Sequence, residues 1–154
     1  EVHGVEPSLA MRRVAQRKLG TKATICDVEV TASPLPYDND TFDLIITSMV
    51  LHEVWPNTRA AILNEARRVL KPEGHHLIID YYRGKVTFPK GWFRQKVITF
   101  IELTAGSDHW RNFKQFMAHG GIEALIAEHP YVVQERKVVS GGNLGVLVLQ
   151  KNGE

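Results

Sequence analysis

A continuous apolar run, FDLIIT at residues 42–47, constrains the fold of this chain more than any other feature. Runs without polar alternation are typical of strands that are covered on both faces, as in parallel sheets. Strand-like and helix-like segments alternate on either side of it. Strands are predicted near residues 2–5, 23–30, 77–80, 132–139 and 144–149, and helices near residues 9–19, 57–70, 92–103 and 110–128. This order predicts an α/β fold, with a mostly parallel sheet, helices on both faces and a C-terminal antiparallel hairpin.

Local signals mark several boundaries of these elements. Ser8 is predicted to cap the first helix, and Asn57 to cap the helix that follows FDLIIT. The segment Lys71–Gly74 is predicted to end that second helix. In residues 23–30 two acids share one face, which indicates a strand at the edge of the sheet.

Composition places the chain among ordinary globular domains. It has 154 residues and no linker, so we expect a single domain over residues 1–154. Nineteen basic and seventeen acidic residues leave a net charge of +2, which indicates neither a nucleic-acid partner nor an anionic membrane. No segment approaches the roughly twenty apolar residues of a membrane helix. Cys26 is the only cysteine, so no internal disulfide forms and we expect a cytoplasmic protein.

Several stretches together resemble the class I, Rossmann-like methyltransferases that use S-adenosylmethionine and act on small molecules. They are HGVEPSLAMRRVAQ (residues 3–16), LPYDNDTFDLIITSMVLHEV (35–54), ILNEARRVLKPEG (62–74) and HLIIDY (76–81), with GGNLGVLVLQK (141–151) as a weaker match. They occur in the family's order and cover nearly the whole chain. The resemblance implies a seven-stranded, three-layer domain, of which this chain supplies six strands, with residues 23–30 outermost.

One departure from the family concerns its opening strand, Gly-x-Gly turn and helix, which have no counterpart in this sequence. The family places that strand between the strands of residues 2–5 and 42–47, and its turn under the cofactor. We therefore expect an N-terminally truncated methyltransferase domain, with S-adenosylmethionine bound by the complete domain. The alternative is a non-catalytic remnant that serves as a dimerising or binding module. An open strand edge is a template for another chain, so we expect a homodimer or strand exchange.

The expected cofactor contacts follow from the resemblance. Glu6 ends its strand with a carboxylate that matches the family's ribose-binding acid, and Pro7 follows it. Thr31 and Ala32 occupy the place of the family's adenine contacts, although Thr31 stands where the family has an acid; Asp27 is the alternative if the loop is longer.

Two further cofactor contacts are expected after the buried strand. Ser48 and Met49 match the family's loop that lines the cofactor, although a methionine is also a common core residue.

Candidate catalytic residues are His52, Tyr81 and His109. A neutral imidazole suits a general base, and Tyr81 ends a strand on the side where a substrate would lie. Candidate substrate contacts are Tyr81, Trp92, His109 and Arg111, because an arginine can hold a carboxylate in a bidentate pair. Residues 84–112 are expected to form a lid or substrate wall.

The histidines show no metal-binding pattern in the sequence. His75 and His76 are adjacent, so on a strand they point to opposite faces. His119 and His129 have no partner at ligand spacing. We expect no metal site.

Overall fold

A computed structural model describes residues 1–152 as two compact units, Glu1–Pro36 and the part of the chain from Tyr37 onward. The first unit contains strand β1 (His3–Val5), helix α1 (Leu9–Leu19), a 3-10 turn and strand β2 (Thr24–Cys26). β1 and β2 form a two-stranded parallel sheet. The Ser8 hydroxyl accepts a hydrogen bond from the Met11 amide, which confirms Ser8 as the cap of α1.

The second unit contains the remaining elements. These are β3 (Phe42–Ser48), α2 (Pro56–Val69), β4 (Leu70–Tyr81), α3 (Lys90–Thr104), α4 (Ser107–His119), α5 (Gly121–Ala127), β5 (Tyr131–Val139) and β6 (Leu144–Lys151). Its four-stranded sheet has the order β3-β4-β6-β5, with β3 and β4 parallel and the hairpin β5–β6 antiparallel. The predicted α/β fold, the parallel neighbour of FDLIIT and the closing hairpin are therefore confirmed.

The hydrophobic core of the second unit is built from β4, β6 and the helices. Its buried members are Leu51, Leu63, Ile78, Tyr81, Phe113, Phe116, Ile122, Leu125, Ile126, Tyr131, Leu147 and Leu149. This core extends to Leu51 and Tyr81, which lie just beyond β3 and at the end of β4. Packing therefore fixes the position of the polar side chains beside them.

Three boundary predictions were wrong. The strand predicted over residues 23–30 covers only Thr24–Cys26, because the chain then turns, with the Ala32 amide bonded to the Glu29 carbonyl. α2 begins at Pro56, whose fixed φ suits the first helical position, so Asn57 lies inside the helix. α2 ends at Val69, just before the segment 71–74, and this segment lies within β4, where the register with β3 shifts between Phe42 and Leu44.

The prediction that β3 is covered on both faces was also wrong. Leu44 and Ile46 are 55% and 58% exposed, whereas Thr47 is buried. β3 is an edge strand of its sheet, hydrogen-bonded only to β4 among the described strands. Within residues 1–152, no helix is both long enough and apolar enough to span a bilayer.

Candidate functional site

A buried carboxylate, Asp80, lies at the carboxyl end of β4. It is fully buried. Its Oδ2 accepts the Leu51 amide at 2.9 Å, and its Oδ1 accepts the Tyr81 amide at 2.7 Å. Parallel strands β3 and β4 end on the same side of the sheet, which is where open α/β sheets bind ligands. Asp80 thus ties the segment after β3 to the end of β4.

His52 follows β3 and is bound by Asp80. Its Nδ1 lies 2.8 Å from Oδ1 of Asp80, and an ionised carboxylate only accepts, so Nδ1 carries the proton. The ring also packs edge-on against Tyr81, with centroids 4.6 Å apart. Burial alone would lower the pKa of His52, but the hydrogen bond to Asp80 and the nearby Glu102 carboxylate raise it above its usual value.

Glu102 brings a second buried carboxylate to this place from α3. Its Oε1 accepts the Tyr81 hydroxyl at 2.7 Å and lies 3.7 Å from Nε2 of His52. Burial, together with donation to this carboxylate, raises the pKa of Tyr81 far above its usual value. Tyr81 is therefore a hydrogen-bond donor here, not a base.

His109, near the start of α4, completes the group. Its Nε2 makes a short hydrogen bond to Oε2 of Glu102, and its Nδ1 lies 3.7 Å from Oε2 of Glu53. Burial raises the pKa of Glu53. The His109 side chain is partly exposed, whereas those of His52 and Glu102 are buried. His109 is thus the histidine of the group that solvent can reach. We refer to His52, Asp80, Tyr81, Glu102 and His109 as the polar cluster.

A buried arginine, Arg59 of α2, holds the surroundings of the polar cluster in place. Its guanidinium donates to the carbonyls of Leu51 and Asn112 and to the Gln115 side chain, and it stacks over the Phe116 ring at 5.1 Å. These bonds join the segment after β3 to α4. Because one side chain satisfies three separate acceptors, it fixes the distance between His52 and His109 through the backbone.

The polar cluster brings together the three residues predicted as catalytic, His52, Tyr81 and His109. Two members of the polar cluster, Asp80 and Glu102, were not identified as site residues from the sequence. Both carried a usable signal. Asp80 ends an apolar strand, and Glu102 is the one acid in the apolar helical segment 92–103.

Two predicted substrate residues lie outside the polar cluster. Trp92 is half exposed, with its ring 6.5 Å from that of Phe88. Arg111 is exposed, pairs with Asp108 and stacks on the Trp55 ring at 4.7 Å. Within residues 1–152, neither makes a hydrogen bond to a member of the polar cluster.

The predicted cofactor contacts in the second unit end β3. Ser48 is its last residue, and Met49 follows with a φ of 55°, a left-handed conformation that is rare for methionine. The Met49 amide donates to the Ile79 carbonyl at 2.8 Å, and its side chain packs on the hydrophobic core. The turn after β3 is therefore held tightly against β4.

The predicted cofactor contacts in the first unit lie on loops. Glu6 directly follows β1, before Pro7, and its Oε1 accepts the Ser8 amide at 2.9 Å. Thr31 and Ala32 lie in the exposed turn after β2, where the Thr31 hydroxyl donates to Glu29. Glu6 therefore keeps its predicted place at a strand end.

The structure also brings together three residues that could ligate a metal ion, although they lie far apart in the sequence. Ligand atoms of His52, Glu102 and His109 all lie within 4.8 Å of one another. The sequence gave no sign of this, because the three residues are far apart in the chain and belong to three different segments.

The fold and the polar cluster define an α/β domain with its polar groups at the carboxyl ends of parallel strands. Comparison with known protein families identifies the family of this domain. The model of the methyltransferase domain family matches residues 1–78, half of the chain. The chain therefore belongs to the methyltransferase domain family.

Individual relatives agree with this assignment. A protein from Synechocystis sp., the uncharacterized methyltransferase sll0829, is 28% identical over 126 residues, which cover 81% of this chain. The chain spans 55% of that relative's length.

Two solved structures show the same fold. The PH0226 protein from Pyrococcus horikoshii superposes with a TM-score of 0.68 at 17% identity, over 99% of this chain and 72% of that one. The N-methyltransferase NodS from Bradyrhizobium japonicum gives 0.61 at 14% identity, over 98% and 66%. NodS was solved with S-adenosylhomocysteine, the demethylated form of the predicted cofactor. The predictions of fold and family are thereby confirmed.

Proposed function

We propose that this chain provides the acceptor-binding part of an S-adenosylmethionine-dependent methyltransferase that acts on a small molecule. The observation that carries this proposal is the polar cluster. Five side chains from four separate parts of the chain meet at the carboxyl ends of β3 and β4, where α/β folds bind ligands. Buried acids and histidines that share hydrogen bonds are costly to the fold, and such groups concentrate at functional sites.

One residue of the first unit, Glu6, suits binding of the nucleoside part of the cofactor. Glu6 uses one carboxylate oxygen on the Ser8 amide, and within residues 1–152 the other accepts no hydrogen bond. A strand-end carboxylate with a free oxygen suits a ribose diol. When bound, S-adenosylmethionine supplies a methyl group on a sulfonium, which is transferred in line to the acceptor. Thr31, Ala32, Ser48 and Met49 remain predicted cofactor contacts.

In the polar cluster, His109 is the group placed to meet the acceptor. It is the member that reaches solvent, and Glu102 orients its ring through the short hydrogen bond. An oriented imidazole can accept the proton that an acceptor hydroxyl, amine or carbon acid loses as it is methylated. His52 and Tyr81 hold Glu102 from the buried side.

Residues 84–112 are proposed as the acceptor's lid, within one domain over residues 1–154. Their aromatic side chains Phe93 and Phe100 are 65% and 66% exposed, so an apolar acceptor would find matching surface there. Trp92 and Arg111 remain proposed contacts in the same segment.

Calorimetric titration with S-adenosylhomocysteine tests the cofactor part. We expect binding that Glu6→Gln weakens by roughly 10- to 100-fold, because a charge-assisted hydrogen bond to a ligand contributes about 1.5–3 kcal/mol. Glu1→Gln is the matched control, since Glu1 is exposed. Equal affinity of the Glu6 variant and the wild type would refute the assignment of Glu6.

The acceptor part is tested by transfer of labelled methyl from S-adenosylmethionine to a panel of small phenols, amines and carbon acids. With any acceptor found, His109→Gln should lower kcat at least tenfold. His119→Gln, on the exposed end of α4, should not change kcat. A His109 variant with unchanged kcat would contradict the role given to this histidine.

A second candidate function is favoured by the edge of β3. Leu44 and Ile46 are exposed on an edge strand, and such an edge can pair with another chain. The chain would then be a non-catalytic module that forms a homodimer by strand pairing. Sedimentation equilibrium distinguishes the two. A dimer that Ile46→Lys dissociates, without binding of S-adenosylhomocysteine at millimolar concentration, would favour the module. A cytoplasmic location, for which the presence of only one cysteine in the sequence argues, is proposed for either function.

A further inference from the structure

The polar cluster contains two histidines and one glutamate arranged around a common point. Ligand atoms of His52, Glu102 and His109 lie within 4.8 Å of one another, and all three come from different segments of the second unit. Two imidazoles and a carboxylate form a donor set typical of zinc and of other divalent first-row transition metals. Magnesium and calcium prefer oxygen ligands alone, so this set selects against them.

The orientation of His52 is that of a metal ligand. Asp80 accepts a hydrogen bond from Nδ1–H of His52. The other ring nitrogen, Nε2, therefore faces Glu102 and lies 3.7 Å from it. Metal-binding histidines nearly always donate their other ring nitrogen to a carboxylate or carbonyl in this way. Tyr81 likewise donates to Oε1 of Glu102 and so fixes the carboxylate that would bind the ion.

The charges around the polar cluster also favour a cation. Asp80 and Glu102 are two buried carboxylates close to the same point. The buried Arg59 directs its donors to two backbone carbonyls and an amide oxygen, and so makes no hydrogen bond to either acid. Within residues 1–152 their partners are His52, His109, Tyr81 and two backbone amides. Buried charges in proteins are paired or bind metals, and a divalent ion between His52 and Glu102 would add a fixed positive charge to these partners.

We propose that His52, Glu102 and His109 bind one divalent first-row transition metal ion, with Asp80 and Tyr81 as the groups that orient the ligands. Three protein ligands leave a coordination position open, as in catalytic zinc sites. Ligand atoms around a tetrahedral zinc ion are about 3.3 Å apart, from metal–ligand distances of about 2.0 Å. The His52–Glu102 separation of 3.7 Å is close to this value, whereas the 2.5 Å between His109 and Glu102 would have to lengthen, and the ligand atoms, which lie within 4.8 Å of one another, would have to adjust around the ion.

Occupation of this site changes the state of His109. Without the ion, His109 and Glu102 share a hydrogen bond; with it, both are ligands and the proton between them is displaced. If the proposed function holds, the open position would take an oxygen or nitrogen atom of the acceptor. Binding of the ion itself does not depend on that function.

The test is metal binding by the purified chain without an affinity tag. Zinc is added after chelator treatment, and bound metal is counted by mass spectrometry after dialysis. We expect one zinc ion per chain. Cobalt provides a second measurement, because tetrahedral coordination by protein nitrogen and oxygen gives visible absorption bands. The cobalt bands of the wild type do not depend on whether any variant folds.

Variants show whether zinc binds at the polar cluster or at other histidines. Glu102→Gln and His109→Asn should weaken zinc binding at least 100-fold, and Asp80→Asn should weaken it about 10- to 100-fold. His119→Gln is the control and should bind zinc as the wild type does, because His119 pairs with Glu128 outside the polar cluster.

Several results would overturn the proposal. They are no stoichiometric zinc in the wild type, cobalt without visible bands, or a folded Glu102→Gln variant that keeps full affinity. Loss of zinc in the His119 control would equally assign the ion to another place. Because no cofactor is added, these outcomes are independent of whether the chain binds S-adenosylhomocysteine.

Discussion

Replacing the buried carboxylate of Asp80 should destabilise the second unit substantially. Asp80 accepts three hydrogen bonds, from the amides of Leu51 and Tyr81 and from Nδ1 of His52. In Asp80→Asn, one carboxylate oxygen becomes an NH₂ group, which cannot accept. If the amide oxygen keeps the Tyr81 and His52 bonds, the NH₂ group faces the Leu51 N–H, donor against donor.

The magnitude follows from these contacts. An unsatisfied buried donor costs about 1–3 kcal/mol, and loss of the charge weakens the two bonds that remain. Breaking a buried ionic partnership costs about 3–5 kcal/mol, part of which is offset because a charge is no longer buried. We therefore expect the free energy of unfolding to fall by about 3 kcal/mol. With a typical urea slope of about 1–3 kcal/mol per molar, the midpoint should fall by about 1–3 M.

Urea unfolding followed by tryptophan fluorescence measures this change. Trp55, Trp92 and Trp110 all lie after Tyr37, so the signal reports the second unit. The control is Asp108→Asn, which removes an exposed pair with Arg111 and should change stability by less than about 0.5 kcal/mol. If Asp80→Asn lost less than about 1 kcal/mol, Asp80 would not be the buried anchor described above.

Three other substitutions test neighbouring features. Arg59→Lys should lower the free energy of unfolding by about 2–4 kcal/mol, since lysine cannot reach all three acceptors, and thermal unfolding measures it. Burial lowers the pKa of His76 to about 4, so between pH 6.5 and about 4 the unfolded chain binds a proton that the folded chain excludes. As the pH is lowered through that window, the free energy of unfolding should therefore fall by up to about 3 kcal/mol. A plot of urea midpoint against pH for His76→Asn should lack this part of the slope. Gly91→Ala would place a methyl group 2.2 Å from the Gly141 carbonyl oxygen and should cost about 1–3 kcal/mol in urea unfolding followed by circular dichroism, which also reports the first unit, whereas Gly4→Ala, with 3.7 Å of room, should cost much less.

Much of the fold could be predicted because hydrophobic pattern and turn residues act locally. The FDLIIT strand, its parallel neighbour and the closing hairpin all follow from periodicity and glycine placement. The failures lie where tertiary contacts override local preference. Residues 71–74 resemble a helix stop, and α2 ends just before them at Val69, but the chain runs on directly as β4, which pairs with β3 through Leu70 and residues 75–79.

The candidate site was predicted less completely than the fold. His52, Tyr81 and His109 were identified because each follows a strand or starts a helix on the expected side. Their connection through Asp80 and Glu102 could not be predicted, because it depends on how α3 and α4 pack beyond the strand ends. No sequence spacing encodes a contact between residues 52 and 102. The expectation of no metal site rested only on the spacing of histidines in the sequence, so it did not consider His52, Glu102 and His109 together, and it stays a prediction.

The residue choice along α3 argues that function, not stability, shaped the polar cluster. This helix buries the carboxylate of Glu102 while Phe93 and Phe100 remain exposed. Stability alone favours the opposite arrangement, because apolar side chains gain from burial and an ionised acid loses its hydration. Replacing a buried ionic group by an apolar one of similar volume is often neutral or stabilising, so the fold itself does not require Glu102. Exceptions to the rule that apolar side chains are buried and charged ones exposed occur mainly at functional sites. The burial of the Glu102 carboxylate beside the histidines therefore supports the proposal that this residue serves ligand binding.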